Sequence, residues 1–501
     1  MTLVVGRRRS GQWQSWFRGL FDHQDQDDFA PAGLVDRLQP TGWAPLGYVI
    51  VVAVIAASIY GFSETPIGPG HYVLTALALA LATLSLLYPA IGIVLVVGAV
   101  LIMPPGSRIP GIAQVSPNLL LTACTVIGFI VRLVRSRRSL TWSRHYFALV
   151  PLLLFHAGFA LVGYGPRSPF LLQTFVQGTL PFPISHTAQR TRRMLLVGLV
   201  GLVIAYTARS VYLLVVEGFP SCWNPYPHNS GGLGPLRYGH TLYGDPATVL
   251  AWVANLMVGL TLGLFVFARS WQTRCFFLFT FVVATLIAWM SLARGGMIGS
   301  TIAIVAVSIM AFRARQRLPV AVGVSSAIGI TLFVSSCLPL VPHLEESMGI
   351  DLGRREDSRG TYLVEGVSRF MGPNPLFTEE EIAGTEDWGG LPNLLYGDGP
   401  GTRRGYHSYV LNSAVDYGLP FLALVILMGR NVLTNGMRLV RVSKHAEPLV
   451  RGAAVGLFAG AIVAIFQAVF DTTLRVAGYA MVFWFLRGVE ASFLSSLSPD
   501  E

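Results

Sequence analysis

At 501 residues the chain has the length of two or three soluble domains, yet 53% of it is hydrophobic and only 12% is charged, against roughly 25% charged residues in a soluble domain. A net charge of +10 would fit a nucleic-acid partner, but the positive residues sit in short hydrophilic breaks between long apolar runs, the pattern of a polytopic membrane protein. A secreted disulfide scaffold, a nucleic-acid-binding module and a disordered chain are excluded.

Residues 1–45 hold Arg7, Arg8, Arg9 and an acidic stretch around Asp22–Asp28, with no apolar core of signal-peptide length. They read as a cytoplasmic N-terminal segment ahead of an uncleaved anchor. Apolar spans follow at 46–62, 71–88, 89–103, 117–134, 146–164, 169–185 and 194–216. The segment 169–185 is weak, because Pro181 and Pro183 interrupt it and Gln173 and Gln177 polarise it; a broken or re-entrant helix needs cover from protein. After an extracytoplasmic loop at 217–245 come spans at 246–268, 275–293, 296–312 and 318–341, then a large loop at 342–407. Spans at 408–428, 449–470 and 476–494 and a cytoplasmic tail at 495–501 complete the chain. The expected fold is an all-α integral membrane bundle of about 12–14 transmembrane helices, most approaching the ~20 residues that cross a bilayer.

Arginine-rich breaks at Arg132–Arg144, Arg190–Arg193, Arg269–Arg274, Arg313–Arg317 and Arg430–Arg451 test the orientation. With all five in the cytoplasm, the intervening spans alternate correctly if 169–185 counts as a crossing, and both termini lie inside. Lys444 is the sole lysine, so arginine supplies nearly every cationic anchor. Cys124, Cys275 and Cys337 fall in apolar spans, leaving Cys222 without a soluble partner for a disulfide. The loop 342–407 is acidic, as topology alone would produce for an outward-facing segment.

Ionisable residues inside spans are costly and mark pathways or sites. Arg209, Asp416, Asp471 and Arg475 fall in or beside the outer half of the bilayer, and Arg237, Arg294, Arg359 and His407 at external ends. Few reach the midplane, His156 being the main exception, which favours chemistry at the outer leaflet over transport. Arg294 lies in the turn Ser291-Leu-Ala-Arg-Gly-Gly-Met297. Gly295 and Gly296 would let a ligand approach the backbone, and a guanidinium beside a helix N-terminus suits phosphate oxygens. The plain alternative is an interfacial arginine against lipid headgroups. Arg237, in Gly234-Pro-Leu-Arg-Tyr-Gly-His240, has an acidic loop neighbour as its plain alternative. His407 opens the span after the long loop, where an imidazole can take a proton from an attacking hydroxyl near neutral pH. Asp416, nine residues on, lies about 900° further around a helix and so on the opposite face; an arginine from another span is its expected partner. No HExxH, CxxC pair, external DxD or Walker motif occurs.

In this order and placement the chain resembles the O-antigen ligase/polymerase superfamily. Ser291-Leu-Ala-Arg-Gly-Gly is similar to that family's Ser-x-Ser-Arg-Gly turn, and Asp357-Ser-Arg359-Gly to the Ser-Arg that begins its external helical region. Asn393-Leu-Leu-Tyr-Gly397-Asp-Gly399, then His407-Ser408, nine residues and Gly418-Leu-Pro, resembles its Gly-x-Gly followed by a His-Asn/Ser…Gly block. Arg237-Tyr-Gly…Asp245-Pro246 is more loosely similar to its Arg-x-x-Gly…Asn-Pro-Asn element. The resemblance covers roughly residues 230–490. Phe421 departs from the Gly, Thr or Tyr common in ligases, and ligase and polymerase both stay open.

The resemblance implies a C-type glycosyltransferase-like fold with one helical extracytoplasmic subdomain, in the bacterial inner membrane. It implies a glycan donor on undecaprenyl pyrophosphate, a glycan or lipid-core acceptor, other polysaccharide-assembly proteins as partners, and no metal, nucleotide or other cofactor. Arg294, Arg237 and Arg209 would neutralise the pyrophosphate, and His407 would activate the acceptor hydroxyl for inverting attack. Arg359, Asp416 and Asp471 would support the loop or the donor. A lipid-linked oligosaccharide flippase and a small-anion transporter are the alternatives from another class.

Overall fold

The computed structural model describes residues 47–52, 69–102, 116–136, 140, 146–163, 166–189, 191–216, 247–291, 294–337, 408–470, 473–475 and 477–497. Among the described residues every regular element is helical. Residues 47–52 are helical and precede α1 (Pro69–Leu87), α2 (Pro89–Ile102), α3 (Pro117–Arg135), α4 (Leu149–Val162), α5 (Ser168–Thr179), α6 (Pro181–Ala188) and α7 (Arg192–Val216). Then come α8 (Ala247–Phe267), α9 (Trp271–Met290), α10 (Arg294–Arg313), α11 (Arg317–Cys337), α12 (Tyr409–Val442), α13 (Pro448–Phe470) and α14 (Ala477–Leu497).

The helix starts follow local chemistry. Proline opens α1, α2, α3, α6 and α13, where its missing N–H costs no helical hydrogen bond. Ser116, Ser270 and Ser408 cap α3, α9 and α12, each side chain accepting from the backbone N–H three residues on at 3.1–3.2 Å.

Nine of the described helices, α3 and α7 to α14, are long and apolar enough to cross a membrane, which makes the chain a polytopic helical membrane protein. Of the expected spans, 46–62 lies mostly outside the described residues and α1 is described in full only from Leu77, so neither enters this count; three others fall short for a physical reason. Helices α2 and α4 have 14 residues each, about 21 Å of rise against ~30 Å of hydrocarbon. The 169–185 segment is divided at Pro181 into α5 and α6.

That divided helix nonetheless runs the length of α14, in the same direction. Gly178 packs on Ala480, the Phe182 ring meets Trp484 at 6.1 Å, and Gly488 packs on Ser185 and Phe182. His186 Nδ1 lies 3.2 Å from Ser492 Oγ, and Arg192, just beyond α6, donates to the Ser496 carbonyl at 2.9 Å. Protein thus covers the segment from Gly178 onward, including the break at Pro181 where the backbone requires it, while Phe170, Gln173 and Val176 in the first turns of α5 are exposed.

Helix α8 is the hub. Its span Leu250–Phe267 is wholly buried, and α9, α10 and α13 pack around it. It meets α13 antiparallel along Gly259 and Gly263 on one side and Gly452, Gly456 and Gly460 on the other. A Cβ on Gly263 would stand 2.5 Å from the Gly452 carbonyl oxygen. Small residues at this spacing let backbones touch where lipid offers no hydrophobic drive to associate.

Two sequence expectations need correction. Residues 430–451 are not one hydrophilic break: α12 continues unbroken through Arg430, Arg438 and Arg441 to Val442, and the turn is only Ser443–Glu447. Arginine is a good helix former, and its aliphatic stem lies along apolar surface while the charged head reaches polar groups. Second, the midplane is not confined to His156. Arg487, the central residue of α14, and Glu490 form an ion pair with no exposed surface. Tyr146 donates to Glu490 at 2.9 Å, Arg487 donates to the Leu457 carbonyl at 3.0 Å, and the guanidinium lies over the Phe483 ring.

The bundle has two chemically distinct ends. Arg132 lies over Tyr88, and Gln189 donates to Ala90 at the start of α2. Arg192 reaches the end of α14, and Arg451 lies over Phe267 at the end of α8. Gly323, near the start of α11, packs on Leu262 and Phe265 in the last turns of α8. The described arginines at the α3–α4, α6–α7, α8–α9, α10–α11 and α12–α13 junctions therefore gather at one end, while Arg167 at the α4–α5 junction lies at the other. The Gly295 turn, Tyr409 and Arg475 lie at the other.

Candidate functional site

The end opposite the junction arginines holds a cavity walled by α4, α5, α12 and the 3-10 turn Thr473–Arg475. Its enclosed volume is about 30 Å³, room for a water or two. The local sequence of α12 shapes it. Ser408 caps the helix immediately after His407, and two turns later Gly418 adopts φ 81°, ψ −177°, a conformation restricted to glycine. Pro420 follows and has no N–H to bridge the kink. The first turns of α12 are thereby set at an angle to the rest, carrying Tyr409, Ser413 and Tyr417 to the cavity.

The inner wall is aromatic. The Tyr417 hydroxyl and His156 Nδ1 are 2.9 Å apart, both side chains buried. The imidazole lies 4.5 Å from Phe175, centroid to centroid, and meets Tyr417 and Phe421 edge-on at 4.9 and 5.1 Å. Tyr417 and Phe421 stack at 4.4 Å. Such a cluster fixes every ring by its neighbours. Toward the mouth, Arg475 pairs with Asp416, their side chains 22% and 14% exposed. Asp416 thus has an arginine from another element, the partner expected for it.

A second polar convergence lies at the same end. The Gly295 carbonyl, in the first turn of α10, accepts from Asn255 Nδ2 of α8 at 3.3 Å and Gln467 Nε2 of α13 at 3.1 Å. These bonds hold the start of α10 against its two neighbours. The expectation that Gly296 leaves the backbone open to a ligand is overturned: a Cβ there would meet Ala251 at 2.7 Å and the Ala288 carbonyl oxygen at 2.8 Å. Its missing side chain serves helix packing.

Of the residues expected to form a site, Asp416 lies beside the cavity. Arg294 is the first residue of α10, and its side chain lies outside the described residues. Arg209 is 3% exposed in the last two turns of α7 and does not line the cavity. His407, Arg237, Arg359 and Asp471 lie outside the described residues, as do the segments 1–46, 217–246 and 338–407. Sequence reasoning missed Tyr417, Ser413 and Thr174, which carry no charge and look like span residues. It also missed Arg487 and Glu490, although their charges stand plainly in an apolar run.

A scan against protein-family models finds no match for the chain, and a search of curated proteins finds none.

Proposed function

We propose that the chain is a membrane glycosyltransferase of bacterial cell-surface polysaccharide assembly. It transfers or polymerises glycan from undecaprenyl pyrophosphate onto an acceptor hydroxyl at the outer face of the inner membrane. Both termini and the arginine-rich junctions face the cytoplasm, and the loops 217–245 and 342–407 face outward, the latter as a helical subdomain over the donor. Arg294, Arg237 and Arg209 counter the pyrophosphate charge that develops as the glycosidic bond breaks. His407 takes the acceptor proton, and Arg359, Asp416 and Asp471 support loop and donor.

The observation that carries this reading is the polarity of the bundle. The arginines of five junctions collect at one end, while Arg167, the Gly295 turn, the Arg475–Asp416 pair and the cavity lie at the other. Under the positive-inside rule the second end is the outer one, where a flipped lipid-linked glycan is found. The transport alternatives draw support from Arg487 and Glu490 at mid-membrane depth, but those groups are consumed by each other and by Tyr146 and Leu457, away from the cavity wall.

The lipid-carrier glycan profile of a deletion strain tests the proposal. Long polymer stranded on the carrier identifies a ligase, and single repeat units identify a polymerase. An unchanged profile rejects both in favour of transport.

A further inference from the structure

We propose that the outward face of α12 around Arg430 docks a transmembrane helix of another protein, one that carries an aspartate or glutamate at the middle of the bilayer. The argument rests on depth, exposure and charge, and does not depend on the glycan reading.

Arg430 lies at the centre of the stretch 419–442 that follows the Gly418 kink, about 18 Å from either end. Asn435, little more than a turn further in, reaches Tyr146, which bonds Glu490 beside the central Arg487 of α14. Arg430 is therefore nearly level with the middle of α14. The contact of Gly436 with Phe458, near the middle of α13, sets the widest offset, about 9 Å toward the outer end. Even from there roughly 6 Å remain to the edge of a ~30 Å hydrocarbon core. An arginine stem climbs only about one turn of axis, ~5.4 Å, toward the headgroups.

At this depth the side chain points away from the bundle. Leu419, Ala423, Ile426, Arg430, Thr434, Met437 and Arg441 are all exposed, and their spacing of three and four residues is one stripe along the helix. The Arg430 guanidinium makes no hydrogen bond or ion pair with any described residue. A guanidinium left in hydrocarbon is costly, and such groups are found paired.

The chain has no carboxylate to offer. Asp416 and Glu490 are the sole acidic residues in its apolar spans, and both are committed, to Arg475 and to Arg487. Glu447 stands in the turn after α12, 17 residues from Arg430, about 25 Å along the axis. A second copy brings the same committed acids, so self-association would set the stripe against another unmatched arginine. The complementary occupant is a foreign helix whose carboxylate stands at the level of Arg430, with apolar residues to meet Leu419, Ile426 and Met437.

Energy transfer in phosphatidylcholine vesicles tests this, between the labelled full chain and a ~20-residue leucine–alanine host helix with aspartate, asparagine or leucine at its centre. The aspartate helix should associate roughly tenfold more strongly than the leucine one, with asparagine between them. Arg430→Leu should erase the preference, and Arg430→Asp should transfer it to a host helix with a central arginine. An unfolding temperature for Arg430→Leu at or above that of the unmodified chain would show that the loss is not one of folding. In native membranes, a photo-crosslinker at Ile426 should capture a protein with a mid-span acid, and changing that acid to leucine should abolish the adduct. The proposal is overturned if the three host helices bind alike, or if the aspartate preference survives Arg430→Leu. It is equally overturned if added phosphatidylglycerol abolishes the preference, which would make a lipid the occupant, or if Ile426 captures only lipid or spans without an acid.

Discussion

Arg487 and Glu490 stand one helical turn apart at the centre of α14 and pair there without exposed surface. Their remaining contacts reach three places: the Leu457 carbonyl on α13, Tyr146 ahead of α4, and Phe483 one turn back on α14. Charged groups at this depth are usually read as part of a pathway. Here each is compensated by fixed neighbours, and the arrangement acts as a clamp between α14, α13 and the approach to α4.

A clamp predicts an asymmetric mutational response. Arg487→Met leaves Glu490 as an uncompensated buried charge, at a cost of about 3–5 kcal/mol. Arg487→Met combined with Glu490→Leu should recover most of that loss. Thermal unfolding of the purified chain in detergent distinguishes the cases, and a double variant no better than the single one would disprove the clamp.

The contact between α8 and α13 predicts strong size selectivity. Gly263→Val drives a side chain into the Gly452 and Gly456 backbone and should destabilise the chain by about 1–3 kcal/mol or more through overpacking. Gly329 of α11 has nothing within 4 Å of a built Cβ, so Gly329→Ala should be neutral or stabilising by about 0.5–1 kcal/mol. Equal unfolding temperatures for the two variants would show that the helices do not approach this closely.

Gly418→Ala should cost about 1–3 kcal/mol, because φ 81° with ψ −177° excludes a Cβ. Relaxation of the kink would also withdraw Tyr417 from His156. The expected result is a lowered unfolding temperature together with loss of glycan transfer. Full activity in a variant that unfolds normally would mean that the kink does not set the cavity geometry.

For the transfer reaction, His407→Ala and Arg294→Ala should abolish product while membrane expression persists. Arg294→Lys should also impair transfer by at least about tenfold, since an ammonium cannot replace a bidentate guanidinium on phosphate. Product assayed in single-copy strains decides this. Wild-type output from Arg294→Lys would reduce Arg294 to a point charge or a lipid anchor.

The apolar runs made α7, α8, α9, α10, α13 and α14 legible to within a few residues, because burial in lipid demands a continuous apolar helix of one length. The extent of α12 was not legible: Arg430 and Asn431 look like the end of a span, whereas the helix continues with Arg430 exposed and Asn431 buried. Arg487 and Glu490 were overlooked because their charges cancel locally, leaving α14 apolar enough to cross. The cavity was beyond sequence pattern altogether. His156, Thr174, Tyr417 and Arg475 come from four elements spread over more than half the chain, and only packing brings them together. The Asp416 partner was half legible, since a carboxylate in an apolar setting requires a cation but does not say which.

The course of α5 and α6 beside α14 has a consequence for biogenesis. This segment, with its two glutamines and three prolines, lacks the apolarity to rest stably against lipid alone, and the helix that covers it is the last described in the chain. Between Ala188 and Ala477 lie 288 residues, roughly 15–60 s of synthesis at ~5–20 residues per second. For that interval the nascent chain must shelter α5 and α6 in the insertion machinery or against α2 and α4. A ribosome stalled before α14 would therefore leave an N-terminal half that quality-control proteases can recognise by its unprotected polar helix.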